Sequence, residues 1–449
     1  MLTAIQIVLG VTLCTLLATV ALITLALLRR KQREGQFRKI DELRRLSFPI
    51  ISSLATGKLD YPLALQALRE VLSSGSDPGL VAEPVLFGLR NPPTMPVPVL
   101  TQLALDFGLV ELWERRLLGC FEPLPWREAI SHPESVLERI GPVSFLVRER
   151  SAERLGLIRH APSWQVLVRA LDDPNSEVRS AAARALGAIA EPQSFAALVD
   201  RLKAVVLTPS TSLSVRHIKA ALVGFPLRLA WELAGSLEHS HPRVRFLAAD
   251  VVREMVERAP VTEEGVLSRP EDLAPEVGEL FLARLAFDQH PDVRARSALV
   301  IARLDDPRAV VRLVTLLDDV QWFVRLHAVR ATARRRFVML AQHVTRRLTD
   351  AQWRVREAAV RTLLSFGPVG ARLVGHFLTT RDRYSLEQIA EELQRTGLLP
   401  ILLGKYGRDG DGRKREVIER LARIGKSNCL SAVLETDQTA AWASSFPKN

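Results

Sequence analysis

The residues best placed for chemistry fall in a few short stretches. "EHSH" from Glu238 sets His239 and His241 two positions apart, the start of a metal-binding arrangement that would still need ligands from elsewhere in the chain. "DGDG" from Asp409 begins like a calcium loop, but Arg413 takes the next ligand position. Gly404-Lys405 ends like a phosphate-binding loop, yet Tyr406 follows and no glycine stands at position 399. Cys14, Cys120 and Cys429 are scattered and odd in number, which suits a reducing compartment better than a disulfide framework. No serine or cysteine has the setting of an activated nucleophile. The expectation is a chain with no catalytic residue, no metal and no cofactor, and not an enzyme. The histidines then read as residues of a turn.

The one constellation with a net chemical character is basic. Between Arg325 and Arg361 stand ten arginines, at 325, 330, 334, 335, 336, 346, 347, 354, 356 and 361, opposed within the stretch only by Asp350 and Glu357. That is +8 of the chain's net +11. Such a surface attracts acidic partners, whereas arginines on solvated helix faces need no partner at all.

What would position these residues is a repeat. "DDVQWFVRLHAV" from Asp318 returns as "TDAQWRVREAAV" from Thr349. Taking Val-Arg as a ruler, the pattern also occurs at Val147, Val178, Val215, Val244 and Val293, with arginine intervals of 31, 37, 29, 49, 31 and 31. Before each turn comes an apolar run at helical spacing. After each Val-Arg come small and apolar residues such as Ala182, Ala183 and Leu186. Asp, Ser or Asn in the turn can cap the next helix, and Pro fits its first turn. Each unit is therefore a helical hairpin that cannot bury its face alone and must stack on its neighbours. With 47% hydrophobic residues and only 6% aromatic, mostly Leu, Val and Ala, the 449-residue chain has the composition for this and is not disordered overall.

"LVRALDDPNSEVRSAAARALGAIAEP", Leu167 to Pro192, resembles the HEAT repeat, and most nearly the short bacterial PBS-lyase HEAT-like form. The resemblance covers about residues 143–397. It implies an all-α fold, an α-solenoid of stacked antiparallel helix pairs, with the second helix of each pair lining the concave side. It also implies a polar ladder between neighbours from the turn aspartates and the arginines after valine: Asp173, Asp319 and Asp350 with Arg179, Arg325 and Arg356. Trp322 and Trp353 would cover the helix starts. The second-helix position six residues after the valine would face the groove. It carries Arg184, Arg330 and Arg361, and Arg334 lies one turn beyond Arg330.

The chain opens with 27 residues, Leu2 to Leu28, free of charge. As a helix this is about 40 Å long, enough to cross a hydrocarbon core of about 30 Å. Arg29, Arg30, Lys31 and Arg33 follow directly, and residues 29–46 carry a net +5. The absence of basic residues before the run argues for a retained anchor over a cleaved signal. The basic flank keeps the rest of the chain in the cytoplasm, anchored to the inner membrane with the N-terminus outside. The expected order is a transmembrane helix (1–28), a basic juxtamembrane segment (29–46) and a helical cap of degenerate repeats (47–142). The HEAT-like array (143–397) and a degenerate terminal repeat with a tail (398–449) complete it. "APVTEEGVLSRPEDLAPEVGE" from Ala259 is an insertion that could meet a partner.

Two functional classes follow. One is a membrane-tethered scaffold or accessory subunit. Its array holds a protein with an acidic surface, for instance in an envelope or exopolysaccharide synthesis complex, while residues 2–28 hold the bilayer. The other is a nucleic-acid binder using the basic groove, or a modifier of chromophore proteins such as the phycobilin lyases that the repeat type suggests. Sparse aromatic residues in the basic stretch disfavour nucleic acid. The oligomeric state is left open.

Overall fold

The computed structural model describes residues 2–72, 82–87, 95–119, 143–208, 214–377 and 383–397, with Glu416, Glu419 and Arg420 beyond them. Among these residues the chain is helical almost throughout, and its one extended pairing is an isolated bridge between Val261 and Leu267. The chain divides into two compact units, residues 1–189 and 190–449. The "DGDG" and Gly404-Lys405 motifs, Cys120, Cys429 and nearly all of the expected tail from 398 lie outside the described residues.

The first unit begins with α1 (Leu2–Ala55), a single helix of 54 residues that runs through the boundaries expected at 28 and 46, with Pro49 inside it. Leu43, Ser47, Ile51 and Leu54 recur three and four apart and are buried, so they form one stripe. That stripe faces α2 (Tyr61–Leu72) and α3 (Ala82–Phe87). Nearer the start of α1, Leu16, Leu17, Val20, Ile23 and Leu27 are exposed. Lys31 is exposed too, while the side chains of Arg29, Arg30 and Arg33 lie outside the described set. Among the described residues no helix is long and apolar enough to cross a membrane, so the expected span at 2–28 has no support there.

Next come α4 (Val97–Asp106), α5 (Leu109–Leu118), α6 (Phe145–Ile158), α7 (Trp164–Ala170) and α8 (Ser176–Ile189). Small residues set the α6–α8 spacing. A Cβ on Gly156 would lie 2.7 Å from the Ala185 Cα, so only glycine permits this approach.

The second unit is built of helix pairs. They are α9 (Phe195–Leu207) with α10 (Val215–Val223), then α11 (Ala234–Leu237, preceded by a 3₁₀ stretch) with α12 (Pro242–Arg258). There follow α13 (Pro275–Ala283) with α14 (Pro291–Arg303), and α15 (Arg308–Leu317) with α16 (Trp322–Arg335). The series ends with α17 (Ala341–Arg346) and α18 (Trp353–Ser365), then α19 (Pro368–Phe377) and α20 (Arg383–Arg395). Val178 in the first unit, and Val244, Val293, Val324 and Val355 in the second, are fully buried at the start of the second helix of their pairs. Val215 departs from the ruler: it is only half-buried, Arg216 is exposed, and Ile218 takes the buried place.

Arginine–aspartate contacts link neighbouring repeats into a ladder. Arg294 and Arg325 each send one nitrogen back to the carbonyls of their own turn and a fork forward to the aspartate 25 residues on. Arg325 Nη1 donates to the Asp319 and Val320 carbonyls at 2.8 and 2.9 Å, and its Nε and Nη2 both donate to the Asp350 carboxylate at 2.7 Å. Arg294 does the same with the Asp288 carbonyl and the Asp319 carboxylate. Arg148 grips Asp173 at 2.7 and 2.9 Å within the first unit. Arg245 reaches Asp288, 43 residues away, across the insertion. Within one repeat, Arg356 and Asp350 meet through the backbone carbonyl and not the carboxylate. The reason is geometric. The carboxylate already accepts the turn amide two residues on, as Asp350 does from Gln352 at 3.0 Å, and this points its free edge at the preceding repeat. For the same reason these aspartates hold the turn and not the first helical amides, whereas Asn175 caps α8 by accepting the Glu177 amide at 2.9 Å.

Burial alone would raise the Asp350 carboxyl, but the Arg325 fork and the Gln352 amide outweigh it and hold the group below the usual carboxylate range. Its contribution is thus complete above the unfolded carboxyl value of about 4 and fades as pH falls through the lower folded one. Asp350→Ala should cost about 3 kcal/mol at pH 7, because it strands a mostly buried guanidinium. Urea unfolding should find that cost shrinking below about pH 4. Val320→Ala, at a position 89% exposed in the neighbouring turn, should leave stability unchanged.

A charged helix face as candidate functional site

On the second helices of the second unit, the residues after the buried valine form a continuous polar strip centred on Asp250. Asp250 is 5% exposed and sits on α12. It accepts from Lys219 of α10 and from Arg253 Nε at 2.9 Å, and Arg296 Nε of α14 lies 2.7 Å from the same oxygen as Arg253. Burial works against its charge, yet Lys219, Arg253 and Arg296 together hold the carboxyl below its ordinary value. The strip continues from Arg253 to Glu254 at 3.0 Å and to Glu257, which also takes Arg334 of α16. Arg296 further stacks 5.1 Å over the Phe246 ring and lies 3.4 Å from the His327 Nε2.

His327 is the strip's neutral member. Burial first, then the positive Arg296, Arg330 and Arg253, lowers it to about 4. The inserted segment closes one end. Val266 and Leu267 are buried, Arg303 Nη1 donates to the Gly265 carbonyl at 2.8 Å, and Arg335 donates to the Glu264 carbonyl at 3.3 Å. Gly265 has φ +83°, and a Cβ there would meet the Arg334 carbonyl at 2.5 Å. The insertion expected to meet a partner is thus tied to the chain's own α14 and α16.

Of the groove arginines expected from the sequence, three are already engaged. Arg184 pairs with Glu153 at 3.0 Å in the first unit. In the second, Arg334 pairs with Glu257, and Arg361 pairs with Glu357 at 2.7 Å and Glu392 at 2.9 Å. Glu153 with Arg184, and Arg361 with Glu392, are each 31 residues apart, so one repeat position carries opposite charges in successive repeats. Arg330 is different: it is exposed and has no carboxylate partner among the described residues. Arg336 and Arg346 are likewise exposed.

The rest of the basic stretch is spoken for. Arg335 has Asp305 at 3.5 Å, Arg347 has Asp318 at 2.8 Å, and Arg325 is in the ladder. Arg354 lies 5.8 and 5.5 Å from the ring centres of Trp322 and Trp353, so the two tryptophans meet across adjacent repeats through one guanidinium. Arg356 straps its own turn and lies 5.8 Å over Tyr384.

The turn histidines have a structural task. His239 Nδ1 accepts the His241 amide at 3.0 Å, as the aspartates do elsewhere, and His241 Nδ1 accepts the Arg243 amide at 3.2 Å at the head of α12. The sequence reading missed Asp250, although it stands six residues after Val244, the same ruler position that singled out the arginines. Lys219, Arg253, Arg296 and His327 had no separate signal.

The profile for HEAT repeats matches residues 134–205 and 278–364, so the chain carries these repeats in both stretches. No curated protein matches. Among solved structures, an engineered protein is 17% identical over 90% of this chain and 96% of its own, with a TM-score of 0.32. Importin beta is 14% identical over 91% of this chain and 61% of its own, with a TM-score of 0.35. Phycocyanin lyase from Nostoc sp. is 16% identical over 63% of this chain and 98% of its own, with a TM-score of 0.24.

Because the folded His327 stays neutral to about pH 4 while an unfolded histidine protonates near 6.5, the unfolded chain binds more protons between those values. Stability should therefore fall as pH drops from about 6.5 to 4. His327→Leu should flatten that part of the profile, as thermal melts at closely spaced pH values would record.

Proposed function

We propose that the chain is a membrane-anchored scaffold whose second-unit helix face holds an acidic protein surface, as an accessory subunit of a membrane complex. The observation that carries it is the exposed Arg330, with no carboxylate partner among the described residues, beside a polar strip whose other charges are engaged in ion pairs. A strip whose charges are mutually paired is pre-organised, so a partner carboxylate has one defined guanidinium to meet. HEAT-repeat arrays generally serve as protein-binding surfaces, which supports this reading. The anchor rests on the uncharged run at 2–28 in the sequence. Two hydroxyls within the run bond to their own helix, Thr19 to the Leu16 carbonyl at 2.7 Å and Thr24 to the Val20 carbonyl at 2.9 Å, as lipid contact requires. The basic residues after Leu28 favour a cytoplasmic array. Envelope or exopolysaccharide synthesis is the class of membrane machine we favour.

The ion pairs sort the earlier candidates into separate tests. Arg330→Glu should abolish capture of the partner from detergent-solubilised membranes while thermal stability stays within a few degrees. Arg361→Glu should instead destabilise the fold, because Glu392 is only 4% exposed and would face a like charge. One membrane protein recovered in near-equal amount with the full chain, and lost with Arg330→Glu, would support the scaffold. Nucleic acid in the eluate, or recovery unchanged by the substitution, would overturn it.

A further inference from the structure

The first unit contains a second, unrelated concentration of charge. A cleft of about 480 Å³ is lined by Arg44, Glu83, Pro84, Arg116, Val147, Arg150 and Arg154, so four guanidiniums face one carboxylate. The pairings inside it are specific. Arg116 Nη1 donates to Glu83 Oε2 at 2.6 Å and Trp113 Nε1 donates to Glu83 Oε1 at 3.0 Å, so each oxygen of the one acid among the described lining residues already holds a donor. Arg44 donates twice to the Pro84 carbonyl, at 3.2 and 3.0 Å, and once to Asp41 at 3.2 Å. α3 is thereby clamped between an arginine of α1 and one of α5.

Arg150 and Arg154 are left over. They stand four residues apart on α6, on one face of the helix. Neither has a carboxylate partner among the described residues. Arg154 lies half-buried, 5.6 Å over the Phe87 ring, which is in turn packed edge-on against Trp113 at 5.2 Å. Burial, more than the nearby Arg150, pulls the Arg154 guanidinium below its ordinary value despite Glu83 and Glu153, and Glu153 is itself committed to Arg184. A partly buried guanidinium without a hydrogen-bonding anion is costly. Counting Asp41 against Arg44 and Glu83 against Arg116, Arg150 and Arg154 are the two lining cations with no acid set against them among the described residues.

We propose that this cleft binds a phosphate monoester dianion, with Arg150 and Arg154 as its principal donors and Arg116 and Arg44 completing the cationic wall. Two guanidiniums match the charge of a phosphoryl dianion, and each presents a fork of N–H groups suited to its oxygens. The recess exceeds the size of a bare phosphate and falls within the range of small-ligand sites, leaving room for an organic group against Pro84 and Val147. The phosphoryl group could belong to a soluble ester or to a lipid headgroup. Arg44 follows Leu28 by 16 residues on the same helix, about 24 Å at ~1.5 Å per residue, deeper than the headgroup layer reaches. That distance favours the soluble ester.

The test uses the full chain in phosphatidylcholine vesicles, titrated with inorganic phosphate and with phenyl phosphate against potassium chloride at matched ionic strength. Both anions should raise the melting temperature, phenyl phosphate at lower concentration. Arg150→Gln, an exposed and structurally safe change, should weaken binding about tenfold, the scale expected for one charge-assisted hydrogen bond. Arg154→Met keeps the stem over Phe87 and should abolish the response without lowering the melting temperature of the free protein. If only vesicles containing phosphatidic acid protect, and the two variants lose that protection, the phosphoryl group is that of a lipid. No protection by any of these probes, or protection equal in wild type and both variants, would overturn the assignment.

Discussion

Everything in the repeat region hangs on one arginine being used twice. Its Nη1 satisfies the carbonyls of its own inter-helix turn, and its Nε and Nη2 reach the carboxylate of the next turn, as in Arg325 with the Asp319 carbonyl and Asp350. The aspartate is used twice as well, accepting a turn amide with the oxygen that also receives the fork. Each turn is therefore held both from within and by its neighbour, which is the local form of the coupling that stacked repeats show. A lysine could supply the charge but not the two directions at once. That is why the position after the buried valine carries arginine with such regularity.

The departures from the ladder have the same logic. At the turn before α12 the aspartate is replaced by His239, whose Nδ1 still accepts the turn amide but cannot receive a guanidinium. The arginine of the preceding pair, Arg216, is correspondingly exposed, and its helix buries Ile218 in place of Val215. The second unit offsets this weaker joint with the Asp250 network, where Lys219 of α10 and Arg296 of α14 converge on one buried carboxylate of α12. Side-chain ionic contacts between second helices thus take over where the turn contact is missing.

Charge in this molecule has to be judged pair by pair. The basic stretch from 325 to 361 has a formal surplus of eight, yet carboxylates from Glu257, Asp305, Asp318 and Glu392 enter it from other helices and turns. After that neutralisation the exposed cations stand out singly. In the first unit the opposite holds: a region of unremarkable composition concentrates four guanidiniums on one cleft because α1, α5 and α6 each contribute to it. Net charge along the sequence and charge at a site are different quantities, and only the second has a partner.

The sequence by itself determined the all-α repeat architecture, the hairpin turns and five of the seven valines that prove buried, Val178, Val244, Val293, Val324 and Val355. These depend on periodicities of three, four and about thirty-one residues, and such local spacings are set by helix geometry. It also exposed one uncharged run at 2–28 and the self-consistent position six residues after each valine. It could not assign the partner of each side chain. Whether Arg325 would reach Asp319 or Asp350, whether Arg361 would be free or held by Glu392, and whether Arg44, Arg116, Arg150 and Arg154 would share one recess all depend on distances between residues 25 to 110 positions apart. Those distances are fixed by how helices pack, through contacts such as Gly156 against Ala185, and packing is a property of the assembled chain.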